Sequence, residues 1–376
     1  MLLLQKIVTF APAIIVTPII MEKKSNNKYV VGITHGDING IGYEVIFKAL
    51  SDPAIYDDCT FVIYGSPKIA AFHRKQVNLA NMVVNNAASI DEIVPNAINI
   101  INVCDENTRV DLGCNTIQAG ECSVAAIHKA EADLKNNKLD ILINAPTNVS
   151  NMMDAGFKFA GVPEFIAHDL SYRNFVLMML GDKIRIATVT SPMPVANVLS
   201  VLSSDKIYWK IKTLNKSLKE DFAIRKPRIA VLGFNPFASD NGSFGQEEAD
   251  RIMPAIDKAT EEDIVVFGPY SPDSFFASEA YTKFDAVLAM TYDQAAVPFR
   301  IIEGYKGISY TGGLPVICTS PLHGPAYDIA GKGIADDTSM RNAIYRAVDI
   351  LYNKKILDGI TPLRKLTEHE ADKKIC

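Results

Sequence analysis

The run Phe284-Asp-Ala-Val-Leu-Ala-Met-Thr-Tyr-Asp-Gln294 changes character abruptly. It is apolar from Ala286 to Met290, and Thr291, Tyr292, Asp293 and Gln294 follow at once. In an open α/β protein, side chains just past the carboxyl end of a strand line the ligand crevice. Hydroxyl, phenol, carboxylate and amide groups in that position are candidates for ligand contact and proton transfer.

Four more candidate strand ends lead into loops of the same kind. Thr34-His-Gly-Asp-Ile-Asn-Gly-Ile-Gly42 feeds a helix beginning near Tyr43. Its glycines would let backbone approach a ligand at a helix N-terminus, where free N–H groups favour anions. It is neither a dinucleotide fingerprint nor a Walker loop. A purely structural turn capped by Asp37 or Asn39 explains it equally well. The others are Asn144-Ala-Pro-Thr-Asn148, Asn235-Pro-Phe-Ala-Ser-Asp-Asn-Gly242, and Tyr310-Thr-Gly-Gly-Leu-Pro315 with Thr319-Ser-Pro-Leu-His-Gly324. Asp273 closes a further one, Gly268-Pro-Tyr-Ser-Pro-Asp273. Together they point to one ligand cleft.

The elements that must position these loops alternate. Short β-branched runs at 29–34, 60–64, 97–102, 141–144, 184–190, 228–232, 264–267, 286–290 and 316–318 are expected strands. Amphipathic stretches lie between them, the pattern of a parallel sheet flanked by helices. Helical spacing puts Val45, Ile46, Ala49 and Leu50 on one face of a helix over 43–50. It does the same for Ile344, Ala347, Val348 and Leu351 over 339–352. Both stripes read as core contacts.

The length of 376 residues suits two domains or one large one, and a formal charge of −5 with no basic run argues against nucleic acid. The cysteines, Cys59, Cys104, Cys114, Cys122, Cys318 and Cys376, form no C-x-x-C pair and read as reduced thiols, so a cytoplasmic location is expected. The opening MLLLQKIVTFAPAIIVTPII is apolar but interrupted by Pro12 and Pro18, with no small-residue cleavage site after it. A signal or anchor is one reading; a start at Met21 is the other, and only a genuine anchor there would bring the chain to a membrane.

Taken together, GITHGDINGIGYEVIFKAL, INAPTN, GFNPFASDNG, GPYSPDSFF, AVLAMTYDQAAVPFR and YTGGLPVICTSPLHG resemble the 4-hydroxythreonine-4-phosphate dehydrogenases of pyridoxal phosphate biosynthesis, in consistent order from about position 30 to 351. The resemblance implies two α/β/α domains with mostly parallel sheets, of the isocitrate- and isopropylmalate-dehydrogenase kind, with the cleft between them. The expected division is an extension at 1–27, a first domain from 28–150 plus 300–353, a second from 151–299, and a charged tail at 354–376. It also implies a homodimer whose sites draw on both subunits. Family members oxidise a hydroxyl with NAD and lose carbon dioxide, using a divalent metal held by three histidines as Lewis acid.

Carried over position by position, those histidines fall on Pro192, Phe237 and Tyr292, so no metal is expected here although the family uses one. The substrate loop becomes Gly161-Val162-Pro163-Glu164, and the substrate-binding lysine, asparagine and arginine become Arg300, Ser309 and Cys318. Asp273, Asp293 and His323 match family positions and are the candidate catalytic groups. Among the histidines, His35, His168 and His323 are those that could approach a cleft, with surface or capping roles expected for the first two. Val162, Pro192, Phe237 and Tyr292 are expected to make the cleft too apolar for a phosphate. Three functions follow as alternatives: a non-catalytic small-molecule binder or subunit of an active paralogue, an enzyme of altered acid–base chemistry, or the dehydrogenase itself through a rebuilt metal site. NAD is a possible ligand, with no residue assigned to it.

Overall fold

The computed structural model describes residues 29–56 and 58–360. The expected extension at 1–27 and the tail from 361 onward lie outside the described residues. Twelve strands form one sheet: β1 (Tyr29–Thr34), β2 (Cys59–Gly65), β3 (Asn85–Ala87), β4 (Ile98–Asn102), β5 (Ile141–Asn144), β6 (Val176–Leu180), β7 (Arg185–Thr188), β8 (Arg228–Leu232), β9 (Val265–Tyr270), β10 (Ala286–Ala289), β11 (Ile308–Gly312) and β12 (Ile317–Pro321). Their order is β3-β4-β2-β1-β5-β12-β11-β6-β7-β10-β8-β9.

Most neighbours are parallel, as the alternation of strands and helices requires. The antiparallel pairs are β12–β11, β11–β6 and β6–β7, consecutive in the middle of the sheet. β2 and β5 are buried at every position, as strands covered on both faces must be. The helical stripes pack as expected, with Val45, Ile46, Ala49, Leu50, Ile344, Ala347 and Leu351 all buried.

Three strands escape the sequence pattern. β3 is short and polar; β6 is a Leu-Met run that periodicity cannot separate from a helix; Ser309 and Thr311 interrupt the apolar character of β11. The chain end also differs from the expected loose tail. The last helix runs over Thr338–Ile360, and Lys354 Nζ lies 2.9 Å from the carboxylate of buried Asp221. Asn353 donates to the Asp221 carbonyl at 2.8 Å, and Tyr310 donates to its carboxylate at 2.8 Å. That carboxylate anchors the helix to the sheet. No helix among the described residues is long and apolar enough to cross a membrane.

The first glycine loop packs as a fastening of the fold, in line with its structural reading. Gly36, with φ +74°, lies so close to Pro146 that a Cβ would sit 2.3 Å from its carbonyl oxygen. Gly40 is pressed as tightly against Pro325. Asp37 is fully buried and accepts from the Asn39 N–H (2.8 Å), Asn151 Nδ2 (2.7 Å) and the Tyr327 hydroxyl (2.7 Å). Burial beside this carboxylate drives the Tyr327 phenol well above its ordinary pKa, so it stays a donor. Asn39 extends the knot by donating to the Cys114 carbonyl and accepting from the Asp111 N–H.

Beneath the loop, His35 is neither a surface nor a capping residue. It is completely buried, stacks on Tyr43 at 5.4 Å, and donates through Nε2 to the Cys122 carbonyl. His73 also stacks on Tyr43, at 5.2 Å, and hydrogen-bonds the Ile38 carbonyl at 2.9 Å. Burial lowers both imidazole pKa values, that of His35 to about 4.

Two predictions follow from these buried groups. Tyr327→Phe takes a charge-assisted donor from Asp37 and should cost about 2 kcal/mol in urea unfolding; a loss near zero would mean the hydroxyl is dispensable. His35 is neutral when folded but accepts a proton near pH 6.5 when unfolded. Its contribution is complete above pH 6.5 and is lost as the pH falls toward about 4. Stability should drop by about 2 kcal/mol between pH 6.5 and 5 from this group alone. His35→Gln, which keeps a donor for Cys122, should flatten that slope, and an unchanged pH profile would refute the assignment.

Candidate functional site

The antiparallel middle of the sheet floors a cavity of about 330 Å³. The ends of β5, β7 and β12, strand β6 and strand β11 supply its base. The start of the helix Val162–Asp169 and the helix Tyr292–Glu303 supply its walls. Antiparallel pairing turns the direction of the strands here, so loops from both halves of the sheet converge on one spot.

The cavity gathers most of the expected site residues. Val162, Pro163, Pro192, Tyr292, Arg300, Ser309, Cys318 and His323 all line it. Phe237, Asp273 and Asp293 do not. Phe237 stands 59% exposed in a left-handed turn and packs edge-on against Phe244, so it adds nothing to the apolar wall. The turn is held by Glu248, which accepts from the backbone N–H groups of Phe234 and Asn235. Asp273 is exposed, and its neighbour Ser271 donates to it, which holds its pKa below the usual carboxylate range. Asp293 is exposed in the first turn of its helix. The expected Asp273–Asp293–His323 constellation is therefore not assembled within this chain. Hydrogen bonds explain the divergence. Asp273 and Asp293 open their helices, whereas Gln294 ties the strand ends together, accepting from the Met290 N–H and donating to the Gly233 carbonyl. His168 is exposed, as expected, and leans on Phe159.

Arg300 is the cavity's fixed cation. It donates through Nη2 to the Leu322 carbonyl and lies over the Tyr305 ring at 5.1 Å, while Nη1 is buried with no partner. His323 sits beside it. Its Nδ1 approaches the Gly324 carbonyl at 3.1 Å and must carry the hydrogen, since a carbonyl only accepts. Burial, with the neighbouring Arg300 charge, lowers the His323 pKa. The ring is thus neutral at pH 7 with a bare Nε2, buried and without a partner, available to accept a proton or a hydrogen bond.

Cys318, at the position of the family's arginine, is buried and receives a hydrogen bond from Asn144 Nδ2 at 3.2 Å. Burial pushes its thiol up to about 12, so it is protonated and a poor nucleophile at neutral pH. The sequence pattern missed Thr188, Met178 and Met179. Thr188 closes β7 with its hydroxyl buried and unpartnered. A polar residue ending an apolar strand was the available signal; for the methionines there was none without β6.

The three positions to which the resemblance assigns metal histidines, Pro192, Phe237 and Tyr292, offer one side-chain oxygen between them, the Tyr292 phenol. Among the described residues no group of three His, Cys, Asp or Glu side chains is placed to hold a metal ion.

The model of the family described as pyridoxal phosphate biosynthetic protein PdxA matches residues 57–347. A 4-hydroxythreonine-4-phosphate dehydrogenase of Bacteroides thetaiotaomicron is 41% identical over 350 residues, covering 92% of this chain and 96% of that protein. One from Sulfurihydrogenibium is 36% identical over 318 residues, covering 85% and 97%. The crystal structure of a 4-hydroxythreonine-4-phosphate dehydrogenase from Klebsiella pneumoniae superposes with a TM-score of 0.73 at 28% identity, over 86% of this chain and all of that one. The matched span contains both the convergent loops and the cavity between them: the chain belongs to the PdxA family.

Proposed function

We propose that this chain keeps the family's cleft as a binding site for a small molecule and does not carry out the metal-dependent dehydrogenation for which its relatives are named. The observation that carries this reading is the donor set at Pro192, Phe237 and Tyr292. A divalent metal needs three or more nitrogen, sulfur or carboxylate ligands in fixed geometry. A proline, an outward-facing phenylalanine and a phenol do not fit one. NAD is proposed through the family alone, since none of the cavity's side chains is particular to a dinucleotide.

A Lewis-acid metal contributes several kcal/mol of transition-state stabilisation, and about 1.4 kcal/mol is tenfold in rate. The full chain, given 4-hydroxythreonine-4-phosphate, NAD and zinc, magnesium or manganese, should therefore form NADH at least about a thousandfold more slowly than the Bacteroides relative. Metal-dependent turnover within tenfold of that control would sink the proposal.

A second reading, metal-independent acid–base chemistry, is favoured by one feature: the bare Nε2 of His323 facing the cavity beside Arg300. If an activity is found, His323→Asn should abolish it, while Asp293→Asn, altering an exposed side chain outside the cavity, should leave most of it. The reverse pattern would move the proton transfer to Asp293.

We further propose a cytoplasmic homodimer. Val297 and Ile301 stand 57% and 80% exposed, one turn apart on the helix that also carries Arg300, an apolar stripe suited to a partner. Pairing with an active paralogue is the alternative. Native mass spectrometry after co-expression separates them: two separate homodimers would exclude the mixed pair, and a monomer would exclude both.

A further inference from the structure

Four buried polar atoms without a hydrogen-bond partner belong to residues that line this one cavity: Glu164 Oε1, Thr188 Oγ1, Arg300 Nη1 and His323 Nε2. Buried polar atoms in native proteins are nearly always paired, so such a cluster describes the ligand's missing half. Arg300 offers a cationic donor. Glu164 Oε1 and His323 Nε2 both need to accept. The Thr188 hydroxyl can do either.

A phosphate ester fits that list badly. Its phosphate dianion brings acceptors only, so beside Glu164 or His323 it stands acceptor to acceptor, and the ester has one hydroxyl donor fewer than its parent acid. The start of the helix Val162–Asp169 does not correct this. Its N-cap, Gly161, gives no side-chain cap, Pro163 lacks an N–H, and Glu164 places a carboxylate in the first turn, where an anion would otherwise sit. The guanidinium of Arg300 is already committed on one side to the Leu322 carbonyl. It has one free edge, enough for a carboxylate oxygen and less than a phosphate's three oxygens require.

Resting on the proposal that the cleft binds a small molecule, we infer that its ligand is an unphosphorylated hydroxy or amino acid: a carboxylate held by Arg300, with hydroxyl or ammonium hydrogens donated to Glu164 and His323. The remaining walls agree. Met179, Val162 and Pro192 offer apolar surface to a short carbon chain, the hydroxyls of Tyr292, Ser309, Thr311 and Ser320 suit its polar groups, and no further cation lines the cavity.

Calorimetry on the full chain with a chelator present and no NAD tests this with two matched pairs, 4-hydroxythreonine against its 4-phosphate and threonate against its 4-phosphate. The expected result is that the parent acid of at least one pair binds about tenfold or more tightly than its phosphate, because mismatched buried acceptors penalise the ester. Arg300→Gln and Glu164→Gln should each weaken that binding about tenfold or more, with circular dichroism confirming the fold. A phosphate that binds better than its parent overturns the inference, as does failure of all four to bind. Unchanged affinity in folded variants overturns the residue assignment. If neither variant folds, the comparison within each pair on the unaltered chain still decides. The metal-dependent NADH assay is independent: turnover there refutes the loss of dehydrogenation, while this calorimetry alone refutes the ligand class.

Discussion

Everything at the site depends on the antiparallel seam in the middle of the sheet. β11 pairs with β12 on one side and with β6 on the other, in register from Ile308 opposite Leu180 to Gly312 opposite Val176. The strands from 29–144 lie on one side of this seam with β12, and those from 176–289 lie on the other. Those hydrogen bonds hold two parallel half-sheets as one body. They also put Ser309 and Thr311 of β11, Leu177 and Met179 of β6 and Cys318 of β12 on the same face, toward one cavity. A one-residue slip of β11 would turn its side chains to the other face and dissolve the floor of the site. Gly312 and Gly313 secure the end of the strand: a Cβ on Gly312 would lie 2.7 Å from Ser217 Oγ, and one on Gly313 2.4 Å from a Thr213 methyl.

Loops that resemble each other in sequence divide between architecture and ligand contact according to where their polar groups are satisfied. In the Thr34–Gly42 loop every named donor and acceptor of Asp37 and Asn39 finds a protein partner, and the glycines are pressed against Pro146 and Pro325. What is left over, the buried Nδ1 of His35, lies in the aromatic stack with Tyr43 and not in the cavity. In the loop after β12 the opposite holds, because His323 spends one nitrogen on Gly324 and leaves the other bare in the cavity. Glycine and Asp/Asn content cannot distinguish these cases. Unpaired buried atoms on residues that line the cavity can.

Much of the fold was legible in the sequence. Parallel strands buried on both faces are written as uninterrupted apolar runs, and nine of the twelve strands were readable as such. The exceptions are the edge strand β3 and the two strands of the seam, β6 and β11, whose identity comes from tertiary pairing. The site was legible where a residue's role depends on its place after a strand, as for Arg300, Ser309, Cys318 and His323. It failed where orientation decides. Nothing in Asn235-Pro-Phe-Ala-Ser-Asp shows that successive left-handed residues turn Phe237 to solvent. Nothing at Asp273 or Asp293 shows that both carboxylates face outward. A missed strand also hid its side chains, which is why Met178 and Met179 entered only with the structure.

The pattern of substitution in the cleft is coherent in hydrogen-bonding terms. A site that holds a metal and a phosphate needs ligands for a cation and several donors for an anion. Here the positions that the resemblance assigns to the metal's three histidines present one phenol, and the position it assigns to a substrate-binding arginine is a thiol kept protonated by burial. The cavity holds a guanidinium with an unpaired Nη1, together with the unpaired Glu164 Oε1 and the bare Nε2 of His323, which accept. A buried cation and buried acceptors are costly to leave unpaired, so a cleft without a ligand would be expected to replace them with apolar side chains or pair them internally. Their open, unpaired geometry argues for an occupant, and its requirements, one anionic group and at least two hydrogen-bond donors, are those of a small polar acid.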